Sequence, residues 1–60
     1  MNVQTLRDIN TLIVRRRIVQ AQILRALDAG VSIRDAKIQE MNTFVHAAWS
    51  RAQALKAQLG

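Results

Sequence analysis

The sequence predicts an all-α fold: an antiparallel helical hairpin of two long helices, with two hairpins dimerising into a four-helix bundle. Three observations carry that expectation. Ile38, Met41, Val45, Ala48, Ala52, Leu55 and Leu59 recur at alternating spacings of three and four, the a/d pattern of helices packed along a shared axis. A looser copy runs through Leu6, Ile9, Ile13, Arg16, Gln20, Ile23 and Leu27. Between the copies lies Asp28-Ala29-Gly30-Val31-Ser32, and no proline occurs anywhere to break either half. The 60 residues are therefore read as one domain, 1–60, with helix 1 over about 3–28, a turn at 29–32 and helix 2 over about 33–58.

Helix 1 carries the large aliphatics of its seam and interrupts them with Arg16 and Gln20. The side chains of Arg15, Arg16 and Arg17 fan out by about 100° each on a helix, so they do not form one patch. Arg16 falls on the seam and Arg17 beside it. Their stems cover apolar surface while the guanidinium groups reach the edge, and with Gln20 they read as a polar layer that sets register. On the face turned away from the seam lie Arg7, Thr11, Val14, Arg15, Ile18, Gln22 and Arg25. An apolar centre at Val14 and Ile18, neighbours at i and i+4, ringed by arginines, is a candidate partner-binding patch. The plainer alternative is that single exposed aliphatics are normal on a helix.

In the turn, Gly30 is expected to take the left-handed conformation that closes helix 1. Ser32 is the expected N-cap of helix 2, with Asp35 three residues on as a capping-box analogue in the first turn. A short connection makes the helices antiparallel neighbours. With the turn near Gly30, Ile23 lies by Ile38, Arg16 or Arg17 by Val45, Ile13 by Ala48 and Leu6 by Leu55. Large aliphatics then meet small alanines, which permits close helix approach.

The apolar surface is wider than one hairpin uses. Leu12 and Val19, with Ala26, form a second stripe on helix 1, Leu24 lies on its other side, and Phe44 and Trp49 flank the helix 2 seam on opposite sides. A broad stripe calls for two neighbours. A chain this short buries little apolar surface alone, and without cysteine it has no disulfide to compensate. Leu12, Val19, Leu24, Phe44 and Trp49 are therefore the expected oligomer interface. A homodimer is the first reading, because two-fold dimers are the commonest closed assembly; docking on a different protein is the alternative.

Nine Lys and Arg against four Asp and Glu leave a formal charge of +5, which favours an acidic protein surface or RNA/DNA as partner. The four acids, Asp8, Asp28, Asp35 and Glu40, make no close pair on one helix face, and no Gly-rich phosphate loop occurs. His46 is alone, without the companions a metal site needs. No enzymatic activity, metal, cofactor or small-molecule substrate is expected. The polar start and the lack of a run of about 20 apolar residues argue against a leader or membrane span, and the missing cysteines fit the cytosol. The expected function is a small non-catalytic interaction or assembly module that presents the basic and apolar face of helix 1. The alternative is a nucleic-acid-binding regulator.

The length, the central Ala29-Gly30-Val31 turn and the two heptad seams with core alanines resemble the Rop-like helical hairpins, which pair into four-helix-bundle dimers. Dimers of that kind bind paired RNA loops through the outward faces of their first helices. The resemblance implies phosphate contacts from Arg7, Thr11, Arg15, Gln22 and Arg25. One departure stands against it: helix 1 has no aromatic residue to meet a base, and both aromatic residues, Phe44 and Trp49, are on helix 2.

Overall fold

The computed structural model describes residues 2–59, so Met1 and Gly60, the ends of the expected 1–60 domain, lie outside the described residues. Two α-helices, α1 (Val3–Asp28) and α2 (Ala36–Leu59), pack side by side as a hairpin with Cα extents of 45 × 14 × 13 Å.

Local chemistry sets three of the helix ends. Asn2 caps α1: its Oδ1 accepts from the backbone N–H groups of Gln4 at 3.0 Å and Thr5 at 3.3 Å, two of the donors that the first turn leaves unpaired. At the other end Gly30 N–H donates to Leu27 O and Val31 N–H to Ala26 O, each at 3.0 Å. This nested pair is the Schellman closure, and it requires the positive φ of +92° at Gly30.

α2 begins at Ala36, three residues later than expected. Ser32 does not cap it. Ser32 Oγ accepts from Arg34 N–H at 3.1 Å, and Ser32 O accepts from Asp35 N–H at 3.0 Å, closing a separate turn. The cap is Asp35, whose Oδ1 accepts from Lys37 N–H at 2.9 Å while its carbonyl accepts from Gln39 N–H. Two cap-competent side chains stand three residues apart, and the later one wins because Ser32 spends its hydroxyl on its own turn. Gln39 Nε2 donates back to Ile33 O at 2.9 Å and ties that turn to α2.

The buried core is Ile38, Val45, Ala48, Ala52 and Leu55, all on α2 and all from the expected seam; Met41 and Leu59 of that seam are half-buried. The facing side of α1 is rotated from the expected one. Thr5 is the buried residue of α1, at 9 % exposure, and the half-buried Ile9, Leu12, Arg16, Val19, Ile23 and Ala26 continue from it at spacings of four and three. Leu6 and Gln20 are exposed, while Ile13 and Leu27 are half-buried. α1 has two candidate stripes that share Ile9, Arg16 and Ile23, and α2 sits nearer the one that holds the small Thr5 and Ala26. Small residues there let the helices approach, and Leu6, Ile13 and Leu27 are displaced towards one side.

One side chain meets an unexpected partner. The Arg16 guanidinium meets Trp49, four residues beyond the expected Val45. That is about one helical turn.

Candidate functional site

The displaced side of α1 and the adjoining side of α2 enclose an open groove along the hairpin. Near the turn it is lined by Leu27, Ile33, Ile38 and Gln39; at the far end by Leu6, Ile9, Ile13, Lys56 and Leu59. Its widest part, about 470 Å³, lies between these ends and is lined by Arg16, Gln20, Leu24, Asn42, His46 and Trp49, among others. Ile23, Asn42 and Trp49 each line two neighbouring segments, so the groove is continuous. Four of its large apolar side chains remain open to solvent: Leu24 is 61 % exposed, Ile33 65 %, Trp49 48 % and Leu6 39 %.

At the centre the guanidinium carbon of Arg16 lies 4.9 Å from the centroid of the Trp49 ring, a cation–π contact. The Arg16 Nε–H is buried with no hydrogen-bond acceptor. Neither Asp8, Asp28, Asp35 nor Glu40 is among the side chains lining the groove. Asp35 is engaged as the α2 cap, and Asp8 accepts from Gln4 Nε2 at 2.9 Å.

The five residues expected at an oligomer interface fall in three places. Leu24 and Trp49 line the groove. Leu12 and Val19 are half-buried on the α1 face turned to α2, so a single hairpin already covers much of both. Phe44, 39 % exposed, is five residues from Trp49, about 140° around the helix, and is absent from the groove lining. Leu6, Ile13 and Ile33 join the groove although sequence reasoning had not placed them at an interface. Leu6 and Ile13 were assigned to the seam, and Ile33 was read as the first turn of a helix it does not enter.

The outer face of α1 is open along its length: Arg7, Thr11, Val14, Arg15, Ile18, Gln22 and Arg25 are all exposed, with Val14 at 45 % and Ile18 at 55 %. Two apolar side chains one turn apart therefore sit among three arginines on a surface α2 does not touch. His46 is exposed on the groove rim. Among the described residues no three His, Cys, Asp or Glu side chains gather as a metal site, and no helix is long and apolar enough to cross a membrane.

No protein-family profile matches the chain, nor does any curated protein or solved structure.

Proposed function

We propose that this chain is a small non-catalytic interaction or assembly module that works as a homodimer, two hairpins closing groove to groove into a four-helix bundle of the Rop-like kind. One observation carries the reading. The hairpin buries five hydrophobic residues, two of them alanines, while Leu6, Leu24, Ile33 and Trp49 stand 39 % to 65 % exposed along a single groove. That is half of a core. A face of 45 × 14 Å in Cα extent amounts to about 600 Å² per copy before side chains are added. Standard stable interfaces bury about 800 Å² per partner.

Closing the groove gives each helix its second neighbour and leaves the outer face of α1 pointing away from the bundle. Val14 and Ile18, rimmed by Arg7, Arg15 and Arg25, then form the surface for an acidic or amphipathic protein partner. The exposure of the same arginines supports a second reading, in which this face binds RNA or DNA phosphates. Light scattering over a wide concentration range tests the dimer: a species of twice the chain mass is expected, and a monomer at every concentration removes it. Titration of RNA hairpins and duplex DNA at several salt concentrations separates the two partner classes. Nucleic-acid binding must weaken steeply with salt, and a neutral Ile18→Gln variant should leave it nearly intact while weakening capture of a protein partner that relies on the apolar centre.

A further inference from the structure

We infer that the Arg16–Trp49 layer at the centre of the groove is a binding site for a small oxyanion, phosphate or a short dicarboxylate, held between two copies of the chain. The inference rests on the groove-to-groove dimer and gives that interface a ligand.

Symmetry sets two like charges in one layer. Arg16 stands at the middle of α1, which runs Val3–Asp28. A two-fold axis along the bundle keeps every layer at its own height. A two-fold axis across the bundle, through its middle, reverses the heights and returns the middle layer to itself. Either full-overlap dimer over the groove therefore brings the two Arg16 layers together. Two guanidinium groups brought together repel, the more so as the second copy excludes water from the layer. The chain supplies no counter-charge, since none of its Asp or Glu side chains lines the groove. A bound anion would balance the charge.

The layer suits an anion in three ways. Gln20, Asn42 and His46, which line the same segment as Arg16, each carry a nitrogen donor for an anionic oxygen. The Trp49 ring holds the guanidinium in place, so little side-chain freedom is lost on binding. With Nε sealed, the anion meets the terminal Nη groups, which face the open segment of about 470 Å³. A doubly charged oxyanion on the two-fold axis reaches one guanidinium from each copy, a geometry monovalent chloride does not match.

The test uses the full chain and its single tryptophan. Thermal unfolding, Trp49 emission and mass by light scattering are followed while sodium phosphate, sodium succinate or sodium chloride is added at matched ionic strength. Phosphate or succinate in the low millimolar range should raise the melting temperature and change Trp49 emission saturably, with chloride at least tenfold weaker. Arg16→Met should stay dimeric in chloride, melt no lower than the parent, and lose the saturable response. Arg16→Lys, which keeps the charge but not the planar fork, should respond about tenfold more weakly. An equal response in Arg16→Met means a general salt effect and overturns the site. A dimer with no saturable response overturns the site alone, and a monomeric mass overturns the dimer with it.

Discussion

Leu24 and Ile18 offer a matched comparison that decides which face of α1 is the interface. Both are aliphatic, both lie in the interior of α1, and they are 61 % and 55 % exposed in one hairpin. Truncation to alanine costs the isolated hairpin little at either site, because little of either side chain is buried, and alanine favours the helix. In the bundle the sites part. Leu24 lies on the groove and is covered by the second copy; Ile18 lies outside it. Leu→Ala removes three carbon groups, worth about 2.4 kcal/mol at about 0.8 kcal/mol each when fully transferred from water. Scaling by the 61 % that the dimer newly covers gives about 1.5 kcal/mol per copy. Two copies lose about 3 kcal/mol, or roughly a hundredfold in the dimer dissociation constant. Sedimentation equilibrium of the two variants, with circular dichroism to confirm unchanged helicity, measures this. Leu24→Ala should dissociate at about a hundredfold higher concentration than the parent, and Ile18→Ala should not differ. Equal weakening by both, or weakening by Ile18→Ala alone, refutes the groove as the dimer face.

Gly30→Ala should destabilise the chain by about 1–2 kcal/mol through its left-handed backbone alone, since an added Cβ meets no atom within 4 Å. A synthetic chain with D-alanine at position 30 should melt no lower than the parent, which separates backbone conformation from packing. Asp35→Ala should cost about 1 kcal/mol by removing the α2 cap, whereas Ser32→Ala should cost clearly less, the reverse of the order expected had Ser32 capped the helix. Ala52→Leu, at a position 4 % exposed between the helices, should lower stability by about 1–3 kcal/mol through overpacking and be visible as a drop in thermal midpoint.

The residues that form helix and those that break it were legible locally. Gly30 and the heptad spacing need only neighbouring residues to act, so α1, its closure at Gly30 and the hairpin followed from the sequence; the Asn2 cap is equally local but was not among the expectations. The seam of α2 was legible too, because Ile38, Val45, Ala48, Ala52 and Leu55 form one stripe with no rival. On α1 two stripes share Ile9, Arg16 and Ile23, and one-dimensional spacing does not rank them. The open outer face at Val14 and Ile18 was equally readable as the side opposite either stripe.

Tertiary structure decided what depends on a second element. The rotation of α1 towards Thr5, Leu12, Val19 and Ala26 follows from how closely the alanine-bearing face of α2 approaches. The choice of Asp35 over Ser32 lengthens the turn, and the long Arg16 side chain rests over Trp49, one turn beyond Val45. Each residue had been assigned a role separately, Arg16 to a polar layer and Trp49 to an interface. Their contact depends on how the two helices pack, which one-dimensional spacing does not specify. The sequence by itself determined two helices, their closure and one packed face; the structure determined which side of that hairpin stays open, and that a half-buried arginine whose Nε–H has no acceptor stands at its centre.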